Sequence, residues 1–126
     1  MNENEIAEKI IGLAIKVHST LGPGLLESDY EKVMAFELNR SGFSLSIQKT
    51  MPVIYEEVII DEGYRADIVV NNLVIIELKS VKNIEDVHLK QLLTYLRLSK
   101  LKLGLIINFN EVLLKNGIRR VIHGII

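Results

Sequence analysis

Cysteine is absent from this sequence, which excludes disulfides and thiolate-ligated metal sites. No apolar run approaches the length of a membrane span. The opening Met1-Asn2-Glu3-Asn4-Glu5 is acidic and has no basic leader region, so the cytoplasm is the expected compartment and no membrane partner is expected. Internal repeats, low-complexity tracts and linkers are lacking too. The 126 residues therefore suit a single domain over 1–126, large enough for a core and too short for two.

Charge is nearly balanced overall and uneven along the chain. Residues 1–78 hold 6 Lys/Arg and 13 Asp/Glu, a net of −7, and residues 79–126 hold 9 and 3, a net of +6. The C-terminal part can thus present a basic surface, with Lys100, Lys102, Arg119 and Arg120 as candidate phosphate contacts. Mixed charge that merely solvates helix surfaces explains the same numbers.

The periodicity predicts a helix from Asn4 to about Leu21, on Ile6, Ile10, Leu13, Ala14 and Val17. His18, near its end, reads as a surface or packing residue. Gly22-Pro23-Gly24 turns the chain. A second helix is predicted from about Leu25 to Asn39, with an apolar stripe of Leu26, Tyr30, Val33, Met34 and Leu38. Glu27 borders that stripe; it either complements the helix dipole or adds an acidic group to a site. Phe43–Gln48 alternates as a strand with one wet face, and Val53–Tyr55 and Val58–Ile60 are further short strands. A third helix starts near Asn83–Asp86 and runs to about Ser99, with Val87, Leu92, Leu93, Leu96 and Leu98 toward the core. His88, Gln91 and Tyr95 make a polar line along it. Leu103–Phe109 and Ile118–Ile122 complete the strands.

The centre of the pattern is Arg65-Ala66-Asp67 to Glu77-Leu78-Lys79. Two β-branched runs flank Asn71-Asn72 and read as a hairpin buried on both faces. Asp67, Glu77 and Lys79 lie in it, although charged groups are rarely buried without a partner or a metal. Either Asp67 and Glu77 hold a hard cation, Mg²⁺ or Mn²⁺, or the three form a structural ion cluster. A shared cation constrains the hairpin. A two-residue Asn71-Asn72 loop would put Asp67 and Glu77 on opposite faces, so an odd-length loop is required. The expected loop is Val70-Asn71-Asn72, with Asn72 left-handed. Asp67 would then face Ile75, with Glu77 its diagonal neighbour roughly 7–8 Å away.

Together these blocks resemble the PD-(D/E)XK nuclease superfamily, and within it the GxxExxY family. Gly24-Leu25-Leu26-Glu27-Ser28-Asp29-Tyr30 fits the naming motif. Tyr64–Asp67, Glu77–Lys79, His88 with Gln91 and Tyr95, and Gly104-Leu105 with Asn108-Phe109 fit other blocks, over about Ile6 to the C-terminus. Ala66 stands where the superfamily name has proline.

The resemblance implies an α/β fold with a restriction-endonuclease-like core, a central mixed sheet with helices on both faces. It implies Mg²⁺ or Mn²⁺ ligation by Asp67 and Glu77, with the Leu78 main-chain carbonyl and Glu27 as further candidate ligands. Lys79 would assist the attacking water, Gln91 would be the accessory residue of the following helix, and Tyr30, His88 and Tyr95 would support the site. The expected function is metal-dependent phosphodiester hydrolysis in nucleic acid, with DNA the expected substrate. Small Holliday-junction resolvases of similar motif order work as dimers, so a homodimer is expected here. The alternative from another class is a non-catalytic subunit that keeps the fold and binds nucleic acid or protein.

Overall fold

The structure, a computed structural model, describes residues 1–126. Its elements are α1 (Glu3–Leu21), α2 (Glu27–Arg40), β1 (Leu45–Thr50), β2 (Val53–Tyr55), β3 (Val58–Ile60), β4 (Arg65–Val70), β5 (Val74–Lys79), α3 (Asp86–Ser99), β6 (Leu103–Asn108) and β7 (Ile118–Ile122). A short 3₁₀ turn, Leu114–Gly117, leads into β7. No helix is long and apolar enough to cross a membrane.

Five strands form one mixed sheet in the order β1-β4-β5-β6-β7. Only β5 and β6 run parallel, and α3 connects them, because a parallel pair needs a long crossover. The apolar side chains of β4, β5 and β6 divide between two cores. Ile68, Val70, Ile76, Leu78 and Leu105 pack with Ile6, Ile10, Tyr30 and Met34 of α1 and α2. Val69, Ile75 and Ile106 pack with Leu92, Tyr95 and Leu96 of α3. Helices thus cover both faces of a mixed sheet, as expected. Full burial of each such isoleucine or leucine contributes about 1.5–3 kcal/mol, so the central strands anchor the fold. Gly104 lets α3 sit close, since a Cβ there would lie 2.7 Å from Leu92.

The helix starts show why sequence boundaries slipped. Asn2 and Glu5 exchange hydrogen bonds in a capping box that opens α1. In α2, Asp29 accepts the Leu26 N–H, so the helix begins at Glu27, and Leu26 lies exposed rather than in the apolar stripe. Val87, expected in the core, is also exposed, because α3 starts at Asp86 and turns it outward. His18 is buried and its Nε2 bonds the Glu111 carbonyl oxygen at 2.7 Å, a packing role. Lys16 of α1 and Arg40 of α2 both pair with Glu37, and those contacts, Arg40 foremost, hold its carboxyl below the ordinary range.

The hairpin loop is odd-length, as a shared site requires, but one residue later than expected. Val70 pairs with Val74, leaving Asn71-Asn72-Leu73 as the loop. Both asparagines are left-handed, with φ 51° and 55°, and the Leu73 N–H closes the turn on the Val70 carbonyl. Val70 stays in the ladder because it is β-branched and also pairs with Leu45 on its other side. Asn71 is drawn into the loop by its bonds to the Ser44 main chain. The register therefore places Asp67 directly opposite Glu77, not opposite Ile75.

Candidate active site

At Ile68 and Ile76 the regular β4–β5 ladder ends, and carboxylates take over the next hydrogen bonds. The Asp67 main-chain N–H donates to Glu77 Oε2 at 2.7 Å, and the Leu78 N–H donates to Asp67 Oδ2 at 2.8 Å. Strand alternation breaks here as well: Ala66 joins Val69 in the core under α3, three residues away. Opposite this break, Gln48 of β1 has φ 49°, and its amide donates to Asp67 Oδ1 at 3.1 Å and to Glu31 Oε1 at 2.7 Å.

Burial and crowding shift the acid–base balance. Glu77 is 5% exposed, and burial, followed by the neighbouring Asp67 charge, pushes its carboxyl up to about 8. Asp67 is also raised, mainly by burial, with its bonds from Leu78 and Gln48 opposing that and Glu31 adding to it. Lys79 is half-buried and lies near enough to lower both carboxylates. The Tyr95 hydroxyl is raised by burial and by the Glu77 charge, which sets α3 against the same site. A carboxylate pair whose charges repel in a desolvated hairpin is stabilised by a positive ion.

The segment after Lys79 is clamped from both sides. From α2, Glu27 Oε2 accepts the Ser80 N–H at 3.2 Å, and the Ser80 hydroxyl donates to the Leu25 carbonyl. Behind them Tyr30 stacks on Phe109, with ring centroids 4.3 Å apart, and its hydroxyl donates to the Gly22 carbonyl and accepts the Leu25 N–H. Gly24, at φ 108°, supplies the turn that this loop needs. From β6, the fully buried Asn108 accepts the Val81 and Asn110 N–H groups and donates to the Val81 carbonyl.

Of the residues predicted for the site, Asp67 and Glu77 form the pair, Lys79 and Tyr95 lie within reach of its charge, and Glu27 stands apart on the Ser80 N–H. Leu78 follows Glu77 on β5, with its side chain in the core and its N–H bound to Asp67. Tyr30 is fully buried and braces the loop. His88 Nδ1 accepts the Glu85 N–H at the start of α3. Gln91 is exposed and lines a hollow with Tyr64, Tyr95 and Val53. The four basic candidates do not form one surface. Glu77 pairs with Ile106, which pairs with Arg119, so Arg119 is level with the carboxylates. Arg120 points to the other face and donates to Asn4, because neighbours alternate along a strand. Lys100 and Lys102 precede β6 at the end where Leu103 meets Val74, about 15–20 Å of strand from Lys79.

Gln48, Glu31, Ser80 and Asn108 were missed as site residues. Glu31 stands one turn after Glu27, which was a usable signal; Gln48 is joined to Asp67 only by sheet pairing.

The family model of the PD-(D/E)XK nuclease superfamily matches residues 4–121. The chain belongs to that superfamily. Its five-stranded mixed sheet with flanking helices accords with the restriction-endonuclease-like fold. No curated protein and no solved structure matches the chain. Membership of a nuclease superfamily points to a nuclease function and a nucleic-acid substrate, and nucleases of this superfamily generally use divalent metals.

The residues present fit such an ion through donor chemistry: Asp67 and Glu77 offer oxygen donors of the kind Mg²⁺ and Mn²⁺ prefer. No three Asp, Glu or His side chains converge as a complete ligand group. Two carboxylates with retained waters and a substrate phosphate suffice for Mg²⁺.

Proposed function

We propose that this chain is a divalent-cation-dependent nuclease of the GxxExxY branch that hydrolyses phosphodiester bonds, with DNA as substrate and Mg²⁺ or Mn²⁺ as cofactor. The observation that carries the reading is the reciprocal Asp67–Glu77 pair with Lys79 beside it. In this reading Asp67 and Glu77 hold the cation, assisted by the Leu78 main-chain carbonyl and, from α2, Glu27. The cation would supply Lewis-acid polarisation of a phosphate oxygen and a more acidic bound water. Lys79 stabilises the negative charge that develops at phosphorus, in a desolvated setting where such contacts count most. Glu27 and Tyr30 give the GxxExxY spacing a physical sense, since one reaches Ser80 and the other braces the preceding loop. Tyr95 and His88 position α3 against the site, and Gln91 stands at its edge. Of the basic candidates, Arg119 is the phosphate contact nearest in register, Lys100 and Lys102 reach only a nucleic acid that extends along the sheet, and Arg120, on the other face, is no contact of this site. A homodimer supplies the extent of surface that one short domain lacks for duplex binding.

One observation favours a non-catalytic binding subunit: both Asp67 oxygens already accept protein hydrogen bonds. The same experiment separates the readings. Purified protein is assayed on single-stranded, duplex and branched DNA and on RNA, with Mg²⁺, Mn²⁺ or chelator. Cation-dependent cleavage that falls about 10²–10³-fold in Lys79→Ala, the usual loss for one charge-stabilising donor, supports catalysis. Substrate binding without cleavage, unaffected by Lys79→Ala, overturns it.

A further inference from the structure

Gln48 has a left-handed backbone, φ 49°, inside strand β1. The other non-glycine residues with positive φ lie where the chain turns: Glu56 between β2 and β3, Asn71 and Asn72 in the hairpin loop, and Lys100 at the end of α3. A Cβ on a left-handed residue crowds the following carbonyl, and at Gln48 neither a tight turn nor a helix end calls for that conformation. Strain of this kind persists only where its surroundings impose it, and it gathers at functional sites. The strand pairing shows what it serves. β1 pairs with β4 at Ile47–Ile68 and at Lys49–Ala66, and the pair between them, Gln48 with Asp67, is missing. The β4–β5 ladder stops at Ile68, next to Asp67, as well. Asp67 therefore stands in a gap in both ladders, and side chains fill the gap.

We propose that Gln48 is a positioning residue: anchored by Glu31, its amide fixes the plane of the Asp67 carboxylate in which Asp67 and Glu77 share a cation. The amide nitrogen donates to Asp67 Oδ1 at 3.1 Å and to Glu31 Oε1 at 2.7 Å. An amide NH₂ has two hydrogens, and the two carboxylates take both, so its orientation is set. Glu31 belongs to α2, so the amide ties Asp67 to that helix. The other Asp67 oxygen accepts the Leu78 N–H at 2.8 Å. Held at both oxygens, the carboxylate cannot turn about its terminal bond without losing a hydrogen bond. Each oxygen keeps a second acceptor direction, which stays open to a cation. The shared cation rests on the nuclease reading; the fixing of Asp67 does not. Hydrogen-bond partners of a metal-ligating group contribute about 10–100-fold to metal affinity, which sets the size of the expected effect.

Two variants of the full chain test it. Gln48→Gly removes the amide and the backbone strain together, whereas Gln48→Met removes the amide and keeps both the side-chain length and the strain. Hydrogen exchange in chelator reads the hold on Asp67 without any metal. In both variants the Leu78 N–H should exchange about tenfold faster or more, relative to the Ile76 N–H, than in the natural protein. The thermal midpoint in chelator should be higher for Gln48→Gly than for Gln48→Met. Calorimetry should show Mn²⁺ affinity weakened about tenfold or more in both. Leu78 exchange at the natural ratio in both variants overturns the proposal, and so does natural Mn²⁺ affinity in either one. Exchange that quickens evenly over β4 and β5 marks a merely structural role and overturns it too. A natural protein that binds no Mn²⁺ removes the cation, and the nuclease reading with it, while the Leu78 ratio still decides whether Gln48 positions Asp67.

Discussion

Asp67 and Glu77 face each other across the central hairpin, and the Asp67 main-chain N–H donates to the Glu77 carboxylate at 2.7 Å. In return, the Asp67 carboxylate takes the Leu78 N–H at 2.8 Å. Two side chains have thus replaced the ladder bonds next in register. The strands can separate there without orphaning buried donors, which would otherwise cost about 1–3 kcal/mol each. The exchange keeps two carboxylates aligned in a place that penalises their charge, and that tension underlies the first two predictions.

Glu77 should make the metal-free protein less stable as pH rises. Its folded pKa of about 8 lies above the ordinary 4.5, so the folded state holds the proton more tightly than the unfolded state. The stabilisation is complete below about pH 4.5 and is lost as pH climbs through 8. Urea melts in chelator from pH 4 to 9, comparing the natural protein with Glu77→Gln, isolate this contribution. The difference between them should shift in favour of Glu77→Gln with rising pH; a difference that stays flat shows that Glu77 titrates normally.

Removing one charge should abolish cation binding without unfolding the chain. Asp67→Asn keeps the shape and an acceptor for Leu78, and it relieves the repulsion on Glu77. Calorimetry should show Mn²⁺ binding to the natural protein and none measurable to Asp67→Asn, whose thermal midpoint in chelator should be equal or higher. Equal Mn²⁺ affinity in the two proteins would move the site elsewhere.

Asn108 should behave as a positioning residue. Asn108→Ala strips partners from the buried Val81 and Asn110 main chain, at a cost of about 2–3 kcal/mol. Hydrogen exchange should quicken at Ser80 and Val81 more than in the β5–β6 ladder, and kcat should fall with little change in KM. Exchange that rises evenly over the sheet would indicate plain destabilisation.

The basic residues should divide by position. Arg119 shares a row with Glu77, whereas Lys100 and Lys102 lie at the far end of β6. Arg119→Glu should weaken binding to every nucleic-acid sequence alike and reduce the salt dependence by about one ion. Lys100→Glu/Lys102→Glu should weaken it less. Fluorescence anisotropy over a salt series compares them, and an equal loss in both would place the nucleic acid along the whole sheet.

The periodicities that were legible belong to long elements with strong patterns. The helix through Ile6, Ile10 and Val17, the buried run Leu103–Asn108 and the hairpin around Asn71-Asn72 all stand close to where the sequence puts them. Their apolar residues recur at the spacing of one secondary structure and of no other. Boundaries were less legible, because they are set by single hydrogen bonds. Asp29 catching Leu26 moved one helix start, and Asn71 binding Ser44 moved the hairpin loop. The detached position of β2 and β3 was not visible either, since their apolar residues suit a core strand equally well.

By itself, the sequence determined which chemical groups the protein has: two carboxylates and a lysine in apolar strands, a glutamate at a helix start, and no thiolate ligand. It also required an odd-length loop if the carboxylates were to cooperate, because strand side chains alternate. Only the tertiary structure decided that Asp67 stands opposite Glu77 itself, that Gln48 and Glu31 join them, that Asn108 holds the next turn, and that the basic residues are scattered. Those outcomes depend on register between strands distant in the chain, and a one-residue slip in register reverses the face of every side chain. Local pattern carries no record of that choice; packing on both sides of the sheet makes it.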